Sequence, residues 1–282
     1  MSERSHNSDP LTRFLLPEAH TRGVIIRGTH IFAEASRMHG LNGPAAELLG
    51  QTLLASILLL SISKGGMRQV LQLDATAPAP IKRMLAEASP GAVRGLLNWQ
   101  EEEPLLRYQQ DGHLGSWMGS PVRLATVRDL GVGQPYISTI EHNSDFLADH
   151  LIHYLHQSVQ IRADIILHGD CAIMIEAMPG CDEEHWFKAV EAMAKIPDSA
   201  LESESHASLL SHFDGLRCKI VGTDQYGYQC RCSTEKMAAA LASIPADQLA
   251  ELADENGNIT ASCQYCDKHY SIKPEDQQNP DV

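Results

Sequence analysis

The sequence predicts an α+β protein. An N-terminal domain with a mixed or antiparallel sheet and a buried core helix is expected, then a helical linker, then a small four-cysteine domain. Three observations lead there. Leu48, Leu49, Leu53, Leu54, Ile57, Leu58, Leu60 and Ile62 crowd one stretch with almost no polar face, and a helix apolar nearly all round belongs in a core. Short strand-like runs punctuated by Gly and Pro follow it, as in folds where strands and helices segregate. The C-terminal end carries Cys230, Cys232, Cys263 and Cys266 in two close pairs.

In chain order, Met1 to Pro10 is polar and reads as a disordered tail; with no apolar run it is not a signal peptide. Val24-Ile25-Ile26 and Thr29 to Phe32 read as strand material around Arg27-Gly28. Asn42 is placed to cap the apolar helix and Pro44 falls in its first turn. That helix is expected from Ala45 to Ser63, stopping at Lys64-Gly65-Gly66. Candidate strands follow at Val70 to Asp74, Ile81 to Ala86, Val93 to Leu97, Val122 to Val127 and Tyr136 to Ile140. Across Ser144 to Gln160, Phe146, Leu147, Leu151, Ile152 and Leu155 recur at helical spacing. His150, His153 and His156 fall on the other flank; lacking an acidic or thiol partner at that spacing, they read as surface or packed residues rather than metal ligands. Ile161 to Leu167 and Ala172 to Met178 read as a hairpin around His168-Gly169-Asp170.

Pro179-Gly180 is the expected domain boundary, so residues 1–179 make the N-terminal domain. From Gly180 to Asp214 there are eight acidic residues and two lysines. Trp186, Phe187, Val190 and Met193 put one apolar side on a helix over Glu184 to Ile196. A Ser/Glu-rich run from Asp198 to Ser205 and a short helix to Phe213 follow. Residues 180–227 are read as a linker with amphipathic helices, either permanently docked or metastable and able to leave its dock. Residues 228–282 form the last domain.

The chain of 282 residues is long enough for one large core or two domains, and its formal charge is −14. An acidic chain is a poor non-specific partner for nucleic acid or anionic membrane, so neither is expected. Leu53 to Ile62, the most apolar run, contains two serines and falls short of a bilayer span. The expected compartment is the cytoplasm, where the seven cysteines stay as thiols. No Gly-x-x-x-x-Gly-Lys phosphate loop occurs.

Thirty residues separate Cys230-Arg-Cys232 from Cys263-Gln-Tyr-Cys266. Two such pairs brought together by a loop suit a tetrahedral four-sulfur zinc site, since short spacings let both sulfurs of a pair reach one ion at about 2.3 Å. Two structural disulfides or four unrelated buried thiols are the alternatives. Zinc is preferred because nothing marks the chain as secreted and so small a domain needs a staple. Between the pairs, Ser233 with Glu235-Lys236-Met237 and Ala238 to Ile244 predict a helix, Asp247 to Leu252 a second, and Asn256-Gly257 a turn. Thiolate ligands are also the oxidisable form of cysteine. The spacing therefore fits a redox switch and an inert zinc ribbon alike. His269 is surplus to a tetrahedron that four sulfurs fill. Cys171, Cys181 and Cys218 have no close partner in sequence and read as small buried apolar residues; Cys181 and Cys218 pair only if the fold brings them within reach.

Cys230-Arg-Cys232-Ser233, Leu249-Ala-Glu-Leu252, Cys263-Gln-Tyr-Cys266 and Tyr270 resemble the C-terminal zinc module of the bacterial 33-kilodalton heat-shock protein family. Arg22-Gly23, Leu48-Leu49-Gly50, Lys64, Leu71-Gln72-Leu73, Arg94-Gly95, Tyr154 and Gln157-Ser158 fall in that family's order. Ser158-Val159-Gln160 departs from its usual Ser-Glu-Gln, and Leu167-His168-Gly169 stands where Gly-Gly is expected. The resemblance implies a redox-regulated, ATP-independent holdase chaperone and no enzyme. It implies one zinc ion held in the reduced form by Cys230, Cys232, Cys263 and Cys266. On oxidation it implies disulfides Cys230–Cys232 and Cys263–Cys266, zinc release, loosening of the linker, binding of unfolded or partly folded client proteins, and a homodimer. Two other readings compete. A thiol-disulfide oxidoreductase using Cys263-x-x-Cys266 would place the motif at a helix N-terminus, whereas Asp267-Lys268-His269-Tyr270 reads as a turn into a strand. A constitutive zinc-stabilised protein-binding module would keep its zinc under oxidant, or simply be inactivated.

Overall fold

A computed structural model describes residues 8–63, 65–100 and 111–273. The chain forms two compact units that divide between Tyr228 and Gln229.

The first unit is built on one ten-stranded sheet. Its strands are β1 (Asp9–Leu16), β2 (Thr21–Arg27), β3 (Arg68–Ala75), β4 (Ile81–Ser89), β5 (Ala92–Trp99), β6 (Val122–Asp129), β7 (Tyr136–His142), β8 (Ala163–His168), β9 (Cys171–Ala177) and β10 (Lys219–Tyr228). They lie in the order β7-β6-β3-β4-β5-β10-β1-β2-β9-β8. Each pairing is antiparallel except β5 with β10, which runs parallel at Ala92–Gly227 and Val93–Tyr228. The sheet is thus mixed, and the α+β class read from the sequence holds.

One face carries α1 (Thr29–His39), α2 (Gly43–Ser61), the short α3 (Leu114–Met118) and α4 (Leu147–Tyr154). Thirteen of the nineteen residues of α2 are buried, its leucines against β3, β4 and β5. Its buried hydroxyls return to the helix: Thr52 Oγ1 donates to the Leu48 carbonyl at 2.7 Å and Ser56 Oγ to that of Leu53 at 2.7 Å, so neither is left unpaired. By length and composition α2 could cross a membrane, but most of it is buried within this unit. Gly50 sits where the Phe32 ring of α1 crosses the helix, too close for any side chain.

The other face is covered by α5 (Glu183–Ala194), α6 (Asp198–Ser203) and α7 (His206–Ser211). Two of these start on side-chain caps: Asp182 accepts the His185 amide at 2.9 Å and Ser205 Oγ the Ser208 amide at 3.3 Å. Strands β2 and β9 are therefore buried on both sides. Val24, Ile26, Ala172 and Met174 face the α2 core. Ile25, Ile173 and Ile175 join Phe14, Leu16, Met193, Leu209 and Phe213 in a second core. Two-sided burial is why these strands read as unbroken apolar runs. Residues 180–227 lie inside this first unit: α5 to α7 cover the sheet, and β10 is a strand of it.

Several local expectations need correction. Thr29 to Phe32 opens α1 and is not a strand. The residues are β-prone, but the buried Asp9 carboxylate caps this helix from another element, accepting the His30 and Ile31 amides at 3.1 and 2.8 Å. Asp9 and Pro10 belong to β1, which the tail reading over 1–10 missed; residues 1–7 lie outside the described residues, as does Lys64. The expected 144–160 helix is α4 followed by a π-turn at Leu155–Val159, closed by Gln160 with φ of 60°. His150 does not lie on an outer flank: it is fully buried and its Nε2 meets the Ser144 carbonyl at 3.1 Å. His153 instead stacks on His142 of β7, ring centroids 4.3 Å apart.

The second unit holds α8 (Thr234–Leu241), α9 (Ala246–Leu252), β11 (Ile259–Ser262) and β12 (His269–Ile272). The last two pair as an antiparallel hairpin, Ile259 opposite Ile272 and Ser262 opposite His269. Both expected helices and the Asn256-Gly257 turn are present, Gly257 adopting φ of 76°.

Candidate metal centre

Two loops of the second unit present the four cysteines. Cys230 and Cys232 lie in the extended stretch before α8, whose start is fixed by Ser233 Oγ accepting the Lys236 amide at 3.3 Å. Cys263 and Cys266 occupy the turn of the β11–β12 hairpin. There the Cys266 and Asp267 amides donate to the Cys263 carbonyl at 3.3 and 2.8 Å, and the Cys263 amide to that of Lys268 at 2.9 Å. Asp267 takes φ of 55° to close this turn. The Cys-x-x-Cys thus sits between two strands and not at a helix start, the placement an oxidoreductase motif would need.

The geometry fits one ion. All four Sγ atoms lie within 4.8 Å of one another. The Cys230–Cys263 and Cys232–Cys266 sulfurs, one from each loop, are 3.5 and 3.3 Å apart. Tetrahedral coordination at about 2.3 Å per bond places sulfurs about 3.8 Å from each other. Cys263 and Cys266 are buried, Cys230 and Cys232 half-buried. His269 is not in the group; its Nδ1 meets Ser262 Oγ at 2.6 Å.

The electrostatics fit a cation as well. Burial opposes a thiolate at Cys232, but hydrogen bonds from Tyr270 Oη, at 3.0 Å, and from the other three thiols outweigh it and bring Cys232 down to about 7. Tyr270 rises to about 12 because its hydroxyl donates to that sulfur. Cys263 and Cys266 are pushed up, first by burial and then by the neighbouring sulfurs. Alone, the cluster favours the thiolate of Cys232 and resists ionisation of Cys263 and Cys266. A divalent cation at their centre removes that penalty, which is how four cysteines bind metal with proton release.

The remaining cysteines behave differently. Burial raises Cys171 and Cys218 to about 11 and raises Cys181 as well, so none is a ready thiolate. Cys171 belongs to the second apolar core and Cys218 packs against it, as the sequence reading expected of small apolar residues. The contact of Tyr270 with Cys232 was not legible from the sequence, where Tyr270 stood only as a motif position.

The family model described as Hsp33 protein matches residues 9–273. A protein of Desulfotalea psychrophila named 33 kDa chaperonin is 32% identical, covering 96% of this chain and 96% of its own. Another of that name from Geobacter sulfurreducens is 28% identical over 98% of this chain and 95% of its own. A crystal structure of a 33 kDa chaperonin, heat shock protein 33 homolog, from Thermotoga maritima shares the fold with a TM-score of 0.78, at 23% identity over 97% of each chain.

Proposed function

Because the chain belongs to the Hsp33 protein family, we propose that it is a redox-regulated, ATP-independent holdase chaperone of the cytoplasm, whose switch is the four-cysteine centre. The observation that carries the redox part is the gathering of four sulfurs in a unit that buries few other large side chains. Among its described residues, the buried apolar ones besides the two cysteines are Ala238, Leu249, Ile259 and Ile272. Zinc, held by Cys230, Cys232, Cys263 and Cys266, supplies the cross-link that such a core lacks.

The residues supply the switching chemistry. With peroxide as oxidant, the two sulfurs of a pair give up two electrons and join in one S–S bond. The peroxide O–O bond breaks and, with two protons, leaves as two waters. Cys230 with Cys232 and Cys263 with Cys266 are the proposed pairs, each within one loop. Disulfide sulfurs carry no charge to hold a cation, so the cross-link between the loops is lost. The unit then loosens, and apolar surface of the oxidised homodimer becomes available to unfolding proteins.

The test is light scattering of a thermally unfolding client, with the protein reduced and zinc-loaded or oxidised. Suppression by the oxidised form alone supports the switch. Equal suppression by both forms makes zinc purely structural, the constitutive alternative. No suppression by either refutes the chaperone reading. A chromophoric chelator in the same samples reports zinc release.

A further inference from the structure

Arg27, the last residue of β2, reaches to the end of α6. Its Nη2 donates to the carbonyls of Leu201 at 2.6 Å and Glu204 at 3.0 Å. Its Nη1 donates to Asp170 Oδ1 at 2.7 Å and to the Glu202 carbonyl at 3.3 Å. Asp170, in the β8–β9 turn, is fixed in its own right: Oδ2 accepts from Thr29 Oγ1 at 2.5 Å and its carbonyl accepts the Gly28 amide at 2.7 Å. The carbonyls that Arg27 meets close a helix. They have no partner further along it and form the negative end of its dipole.

This contact is more enclosed than the ion pair at the start of α5. The Arg27 side chain is 19% exposed and that of Asp170 26%. In the Arg162–Glu183 pair, Glu183 is 88% exposed, and surface pairs of that kind contribute little. The apolar side chains Leu201, Leu209 and Leu210 attract the segment to the sheet, but attraction of that kind is non-directional. A planar guanidinium fork bonded to the carbonyls of Leu201, Glu202 and Glu204 at a helix end does fix position.

We propose that Arg27, braced by Asp170, is a latch: a positioning residue that holds residues 198–213 on the sheet and sets how readily they leave it. It belongs to the first unit, whereas the four clustered cysteines belong to the second, so it acts on release independently of their oxidation. Its consequence for client binding rests on the holdase reading above; the latch itself does not.

The experiment is hydrogen exchange by mass spectrometry on the full-length, reduced, zinc-loaded protein and its R27A, R27K and R162A variants. R27A is expected to speed exchange across 198–213 by about tenfold to a hundredfold, the equivalent of a lost charge-assisted hydrogen-bond set. Exchange in α2 should stay as in the parent. R27K keeps the charge without the fork and should fall between, and R162A should stay within about twofold of the parent. Exchange in R27A no faster than in R162A overturns the latch. So does equal acceleration in α2, which would make Arg27 a general stabiliser. If R27A does not fold, R27K decides by the same two criteria. Client light scattering on the same reduced samples separates the two readings: suppression by reduced R27A supports the link from undocking to client binding. Fast exchange without suppression leaves the latch standing and counts against the holdase reading.

Discussion

Removing zinc from the reduced protein should unfold the second unit and leave the first intact. Among the described residues, the large apolar side chains buried in the second unit are Leu249, Ile259 and Ile272. At roughly 1.5–3 kcal/mol each, their burial stabilises by about 5–9 kcal/mol before any ordering cost is counted. A structural zinc site contributes about 10–16 kcal/mol, more than all three together. Moving a two-state equilibrium from 1:99 to 99:1 takes about 5.5 kcal/mol, so loss of the metal is sufficient. The perturbation is a zinc chelator with reductant present, which excludes disulfide formation as the cause. The assay is hydrogen exchange at the amides of β11 and β12, with α2 as the internal reference. Protection of the hairpin should vanish as zinc leaves while α2 stays protected. A hairpin that keeps its protection after stoichiometric zinc removal would refute the reasoning, because the apolar core would then hold the unit alone.

Three further outcomes follow from the first unit. Phe14 and Phe213 pack with ring centroids 5.5 Å apart, both buried between the sheet and the covering helices. Phe213→Ala should cost about 3–5 kcal/mol, seen as a lower Tm, with exchange rising first in 183–213; a uniform rise across α2 would show that the segment does not open separately. Gly50→Ala should lower the urea midpoint despite better helix propensity, because the methyl meets the Phe32 ring and overpacking costs about 1–3 kcal/mol; a raised midpoint would contradict the crossing. Burial holds His150 and His206 below the ordinary histidine range. The unfolded chain then binds more protons, so stability should be constant above about pH 6.5. Below that it should fall, by up to about 1.4 kcal/mol per pH unit for each group until its native value is reached. Urea melts at pH 7.5 and 5.5 check this, and equal midpoints would count against it.

What the sequence revealed and what it concealed divide along a physical line. The α2 leucines, the Val24-Ile25-Ile26 run and the two cysteine pairs were legible because their signals are local: a missing polar face, unbroken β-prone residues, a fixed ligand spacing. The nature of α1 was hidden because its cap comes from Asp9, and a carboxylate twenty residues away leaves no mark beside Thr29. Strand β10 was hidden because most of it is exposed, so no apolar alternation betrays it. Arg27 looked like turn punctuation, since its partners at 170, 201, 202 and 204 meet only in the fold. The sulfur cluster follows the same division: the four ligands were readable, and the Tyr270 hydroxyl that selects Cys232 among them was not.

The second face of β2 and β9 connects this fold to its proposed task. Phe14, Leu16, Ile25, Ile173 and Ile175 form an apolar patch that folding must cover. What covers it is an acidic segment in which α6 and α7 have only six residues each. Helices that short are not stable alone, so their order derives from the sheet beneath them. Undocking would therefore unfold the cover as well as uncover the patch, and the entropy regained by the released chain offsets part of the apolar surface exposed. A cover made of long, self-stable helices would regain little on release and would stay shut. On the proposed reading, the short α6 and α7, held by the Ser205 cap and the Arg27 contact, would keep the closed state near enough to the open one for a change elsewhere in the chain to decide between them.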